Sequence, residues 1–136
     1  MSDCIFCKIL AGEIPAAKVY EDEQVLAFLD ISQVTPGHTL VVPKEHHRNL
    51  LEMDAASASQ LFAKIPVISQ KVMKATQAEG MNIIANCEKV AGQTVFHTHV
   101  HLVPRYGAED DLKIDFVAHE PDFDKLAQVA ETIKNA

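Results

Sequence analysis

The stretch Gly92–Arg105, GQTVFHTHVHLVPR, carries three of the chain's seven histidines, His97, His99 and His101, on alternate positions. In a β-strand alternate side chains share a face, so the three imidazoles line one side and Thr98, Val100 and Leu102 the other. The apolar set can enter a core. The imidazole row must face a cleft, a partner or solvent. A single such histidine reads as an ordinary polar strand residue; three in register do not. One metal shared by all three does not fit. At a rise of about 3.3 Å per residue the outer Cα atoms stand roughly 13 Å apart, against zinc–nitrogen bonds of about 2.1 Å. Two of them can share an ion, so the row divides its labour. The other chemistry open to imidazole is nucleophilic. Neutral histidine attacks phosphorus, and the phosphoramidate it forms is labile enough to be hydrolysed. That reaction needs a neighbour to hold the tautomer and donors for the phosphoryl oxygens. Gly92 lets a backbone approach closely, and Gln93 and Thr94 supply side-chain donors. No G-x-x-x-x-G-K-[ST] or G-x-G-x-x-G occurs, so phosphate is not held by a P-loop or a dinucleotide-binding turn.

A second group with ligand chemistry is CIFC, where Cys4 and Cys7 stand three apart, the spacing at which one short turn presents two thiolates to a metal. Alone, the pair suits redox chemistry or two buried thiols equally well. Histidines are at hand to complete a site: His46 and His47 in PKEHH, and His97, the spare member of the row. Cys87, beside Asn86, reads as a core or strand-end residue.

These groups need elements to position them. CIFCKILAGEIP reads as one or two helical turns closed by Gly12 and Pro15. AKVYEDEQVLAFLDI, broken at Glu21–Glu23, reads as a hairpin, and GHTLVVPKEH as a further β run. From Asp54, a plausible N-cap, Leu61, Ile65, Ile68 and Val72 repeat with helical spacing, and Gly80 is the expected stop. Pro66 inside this run removes a backbone donor and is expected to kink or split the helix. MNIIANC (81–87) reads as a strand and VFHTHVHLVPR as the last one. EPDFDKLAQVAETIKNA reads as an amphipathic helix turning Phe123, Leu126, Val129 and Ile133 inward. The strands are mostly too close in sequence for crossover helices. The expected class is therefore α+β: an antiparallel sheet of about five strands, with one main Pro-kinked helix and a C-terminal helix on one face.

With 136 residues the chain fits one domain, residues 1–136, and its balance of 48% hydrophobic and 23% charged residues supports a core without disulfides. A net charge of −7, with no basic patch, argues against nucleic-acid polymers and anionic membranes. A small phosphate-bearing ligand remains compatible, held on local dipoles. No apolar run reaches the ~18 residues of a membrane span. MSDCIFCKIL lacks the form of a signal peptide, and an odd count of three cysteines argues for reduced thiols and a cytoplasmic setting.

HTHVHLVPR fits His-x-His-x-His followed by two apolar positions, the signature of the histidine triad (HIT) superfamily. IFCKILAGEIPAAKVYEDEQVLAFLDISQVTPGHTLVVPKEH and MNIIANCEKVAGQTVFH resemble its nucleotide-binding branch, so the likeness covers about residues 4–105. The resemblance implies a HIT-like fold, a homodimer joined edge to edge through its sheets, a bound purine mononucleotide, and hydrolysis at the α-phosphate. By motif position His99 would be the nucleophile, and His101 would bind phosphate and assist proton movement. Thr94 would contact the leaving group, and Gly92, Gln93 and Asn86 the phosphate. Asp30 would take the ribose hydroxyls, since a carboxylate accepts two hydrogen bonds at once. Phe6, Ile9, Phe28, Ile31 and Leu40 would form the slot for the base, although most of these equally suit plain core. Asp30, Asn86 and Thr94 equally suit turns or strand ends. Some bacterial relatives hold a structural zinc through such a CxxC, which position by position selects Cys4, Cys7, His46 and His97, with His47 the fallback. The implied activity is purine nucleoside phosphoramidase. The fragile histidine triad type, a dinucleoside polyphosphate hydrolase, is the nearest alternative, but it usually carries Asn in place of Asp30 and Gln in place of Asn86. A nucleotide sensor with vestigial hydrolysis is the alternative from another class.

Overall fold

A computed structural model describes residues 3–136. In VLAFL and TLVVP nearly every side chain is buried, and such unbroken apolar runs form strands covered on both faces. They are β2 (Val25–Leu29) and β3 (Thr39–Pro43), at the heart of an antiparallel sheet with β1 (Lys18–Glu21), β4 (Gly80–Ile84) and β5 (Val100–Arg105), in the order β1-β2-β3-β5-β4. The expected five-stranded α+β sheet is thus present.

The helices are not all on one face. α2 (Ala55–Thr76) lays Leu61, Ile65, Ile68 and Val72 against Val25, Ala27, Val41, Val100 and Leu102. On the opposite face α1 (Ile5–Leu10) sets Phe6 and Ile9 on Leu26, Phe28, Leu40 and Val42. Pairing Phe28↔Leu40 and Leu40↔His101 puts His101 on this second face, beside the apolar cluster under α1. The histidine row therefore shares its face with the N-terminal helix.

α2 begins as expected, with the Asp54 side chain accepting from the Ser57 N–H, but it runs through Pro66 as a single helix of 22 residues. Pro66 lies on the exposed side of the helix, away from the core face formed by Leu61, Ile65, Ile68 and Val72. Gly80 does not stop the helix. Gln77 does, in the left-handed region at φ 57° with its N–H on the Met73 carbonyl, and Gly80 opens β4 instead. The last strand is shorter than expected. β5 starts at Val100, while Thr98 gives its N–H and hydroxyl to the His47 carbonyl, so the segment before the strand is tied to a loop.

The C-terminal helix, α3 (Phe123–Lys134), forms with Asp122 as its cap. It does not turn its apolar face inward. Phe123, Leu126, Val129 and Ile133 are 76%, 57%, 47% and 70% exposed, and residues 112–122, which form neither helix nor strand, separate the helix from β5.

Candidate active site and an adjacent Cys–His cluster

The geometry of the row is set by its hydrogen bonds. His99, 7% exposed, donates its Nδ1–H to the His97 carbonyl at 2.8 Å. A carbonyl only accepts, so the proton sits on Nδ1 and Nε2 keeps a lone pair. Burial also lowers the pKa of His99, favouring the neutral ring. His101 lies against it with ring centroids 5.0 Å apart.

His38, a residue the sequence reading passed over, completes the row. Its Nδ1 accepts the Val34 N–H at 3.3 Å, so its proton is on Nε2, which donates to His101 Nδ1 at 3.0 Å. His101 in turn carries its proton on Nε2. Burial pushes the pKa of His101 down to about 4, helped by the neighbouring imidazoles, and lowers that of His38 as well. Asp30, at the end of β2, sits 3.7 Å from His38 Nε2, with its other oxygen accepting the Ser32 N–H. Asp30, His38 and His101 thus converge. The sequence signal for His38 was its alternation with Leu40 and Val42, which becomes informative only once β3 is known to pair with β5.

The Glu88–Gly92 turn leads into the row. Gly92 adopts φ 101°, and an added Cβ would lie 3.3 Å from Asn86 Nδ2, so glycine is required where Asn86 approaches. Asn86 Nδ2 reaches the Gly92 carbonyl at 3.5 Å. Gln93 departs from expectation: its side chain is not a free donor. Its Oε1 accepts from the Glu88 N–H (2.8 Å) and from Asn49 Nδ2 (3.1 Å), and its Nε2 donates to the Arg48 and Val95 carbonyls (2.7 and 3.0 Å). Glu88 in turn takes a two-pronged ion pair from Arg48 and a bond from Asn49, which hold its carboxyl down to about 2. Gln93 therefore braces the turn from inside. Thr94 is exposed, beside a recess of about 350 Å³ that also takes in Ile5 and Phe96.

Of the five apolar candidates, Phe6, Ile9, Phe28 and Leu40 are buried in one cluster, with the Phe6 ring edge-on to Phe28, His97 and His99. Ile31 is not with them; it stands fully exposed in the turn after β2.

Cys4, Cys7, His46 and His97 form one cluster whose ligand atoms all lie within 4.8 Å of one another. His47 is outside it and contributes its backbone carbonyl to Thr98 instead. His97 donates Nε2–H to the Pro43 carbonyl at 2.9 Å, so the lone pair of Nδ1 faces the cluster. The sulfur–nitrogen separations are 3.3 to 3.5 Å and the Nδ1–Nδ1 separation is 3.1 Å. A tetrahedral zinc with bonds of about 2.3 Å to sulfur and 2.0–2.1 Å to nitrogen has edges of about 3.5 and 3.3 Å. Four electron-pair donors turned toward one centre at these distances fit such an ion.

Comparison with known proteins bears on the fold and the family. The HIT domain profile matches residues 11–108. "Protein hit" of Bacillus subtilis is 50% identical over 121 residues, 89% of this chain and 83% of the relative. The adenosine 5'-monophosphoramidase HNT1 of Candida albicans is 35% identical, covering 98% of this chain and 90% of that one. The crystal structure of SMU.412c from Streptococcus mutans, 64% identical, superposes with a TM-score of 0.96 over 99% of this chain and 85% of its own. With the motif, the fold and the profile in agreement, the chain belongs to the histidine triad (HIT) family.

Proposed function

We propose that the protein is a nucleotidyl hydrolase acting on purine nucleoside 5'-phosphoramidates through a covalent nucleotidyl-His99 intermediate. The observation that carries this reading is the unprotonated Nε2 of buried, neutral His99, left free by the Nδ1–H bond to the His97 carbonyl. Similarity to the adenosine 5'-monophosphoramidase of Candida albicans supports the substrate class. His99 Nε2 attacks the α-phosphorus and the P–N bond breaks. The departing nitrogen takes a proton from His101 Nε2, and His38 Nε2–H replaces it at His101 Nδ1. The positive charge on nucleotidylated His99 offsets the proton lost from the row. Water then attacks phosphorus and gives its proton to His101 Nε2, the Nδ1 proton of His101 returns to His38 Nε2, and the P–Nε2 bond breaks to release the nucleotide. Asp30 accepts the ribose hydroxyls. Asn86, the Gly92–Gln93 backbone and Thr94 serve the phosphate and leaving group, and Phe6 with its cluster backs the base.

The Cys4–Cys7–His46–His97 set would hold a structural zinc, closed to substrate, which a reducing and hence cytoplasmic setting would preserve. β4 is the last strand of the sheet and Ile83 on it is 51% exposed, which supports a homodimer joined along that edge. Turnover of an AMP-linked chromogenic amide tests the reading. His99→Ala is expected to lose on the order of 10³-fold or more in kcat, and parental turnover by that variant would refute it. Faster turnover of a dinucleoside polyphosphate than of the amide would favour the fragile histidine triad chemistry instead.

A further inference from the structure

The recess beside Thr94 has no part in the chemistry derived above. It holds about 350 Å³ and is lined by Ile5, Thr94, Val95 and Phe96, with Asp3 the one charged residue among the described residues around it. Ile5 and Phe96 are large apolar side chains left exposed next to a reactive row. Exposed apolar surface that borders a concave site marks a place a ligand covers. The apolar cluster assigned to the base, Phe6, Ile9, Phe28 and Leu40, does not line it, so the recess is a separate one.

Its walls are held in place. The Arg48 guanidinium lies 4.3 Å from the centre of the Phe96 ring. Arg48 is itself clamped to Glu88 through Nε and a terminal nitrogen, at 2.7 and 2.8 Å. Glu88 opens the turn that Gln93 braces. The turn assigned to the phosphate and the aromatic wall of the recess are thus one connected unit. The other wall is Ile5, the first residue of α1, and the next residue, Phe6, stands edge-on to His99 with ring centroids 5.1 Å apart. The recess therefore begins one residue away from a packing partner of the nucleophile.

The two ends of the row differ. Asp30 and His38 converge with His101, whereas Thr94 precedes His97 in the chain. A nucleotide with its ribose on Asp30 and its α-phosphorus at His99 occupies the His101 end. The leaving nitrogen, on the other side of phosphorus from the ribose, then faces Thr94, and its substituent has the recess beside it. We infer that Ile5 and Phe96 form a specificity-determining subsite for the leaving group, which accepts an apolar, non-anionic substituent on the phosphoramidate nitrogen. Asp3 opposes a carboxylate there. This rests on the phosphoramidase reading above and names the half of the substrate that reading leaves open.

The test compares two amides of AMP on the full chain, the unsubstituted one, whose leaving group is ammonia, and the N-(2-phenylethyl) one. Both pass through the same nucleotidyl-His99, so the substituent acts only in the first step, which kcat/KM reads. Dividing one kcat/KM by the other removes any general effect of a substitution. Ile5 and Phe96 are both exposed, so truncating either leaves the core intact. Phe96→Ala and Ile5→Ala, on opposite walls, should each lower the ratio of phenylethyl to unsubstituted kcat/KM about 10-fold, the scale of a lost apolar contact in a pocket. A ratio unchanged in either variant overturns the subsite and leaves the hydrolase standing. A parent chain that releases AMP from neither amide overturns both.

Discussion

Neutral imidazole attacks only through the nitrogen that lacks a proton, and His99 has one such nitrogen because the His97 carbonyl claims the other. The same logic fixes His101 through His38. His38→Ala should therefore lower kcat about 10- to 100-fold with little change in KM, the scale at which supporting hydrogen bonds act. His38→Gln, which places an amide N–H near Nε2, should recover part of it. Equal kcat in His38→Ala and the parent would remove His38 from the relay. The pH dependence follows from burial. His101 titrates at about 4 in the folded chain, against about 6.5 when unfolded. The unfolded state therefore binds more protons between those values. His101's contribution to stability is complete above about 6.5 and is lost as pH falls toward 4. Denaturant titrations at pH 7.5, 6 and 5 should show that decline. The acid limb of kcat/KM should lie below the ordinary imidazole value; a limb at 6.5 would mean the row is solvated.

At the scale of elements, the Glu88–Gly92 turn is braced by a side chain that spacing alone had marked as a phosphate donor. Gln93→Ala would strand the Glu88 N–H, the Asn49 amide and two carbonyls, an expected loss of about 2–4 kcal/mol by chemical denaturation. A change below about 0.5 kcal/mol would contradict the brace. Much of the fold was legible because its signals are local. Strand runs in VLAFL and TLVVP, the Asp54 cap and the spacing of Leu61 to Val72 depend on neighbours in sequence. The triad and the CxxC were legible as motifs, and the choice of His46 over His47 came only through resemblance. What stayed hidden depends on pairing across the chain. Gln93 meets Arg48 and Asn49, and His38 meets His101, at separations of 44 to 63 residues. The inward turn expected of α3 failed for a related reason: amphipathicity states that a face seeks cover, not which body supplies it.

For the whole molecule, the Cys–His cluster links three distant segments: α1 through Cys4 and Cys7, the loop after β3 through His46, and the approach to β5 through His97. Phe6, between the two cysteines, touches both His97 and His99. A zinc ion there would staple the N-terminal helix over the nucleophile without touching substrate. One zinc per chain is expected by elemental analysis. Its removal by chelator should lower Tm by about 10 °C or more while turnover at low temperature persists. Immediate loss of turnover with Tm unchanged would place the metal in the chemistry instead. Among the described residues no helix is long and apolar enough to cross a membrane.

The most direct test of nucleophilic His99 is the stereochemical course at phosphorus, followed with a substrate chiral at the α-phosphorus and isotopically labelled water. Attack by His99 and then by water are two in-line displacements, each inverting the centre, so net retention is predicted. Net inversion would mean that water attacks directly and that His99 never bonds to phosphorus.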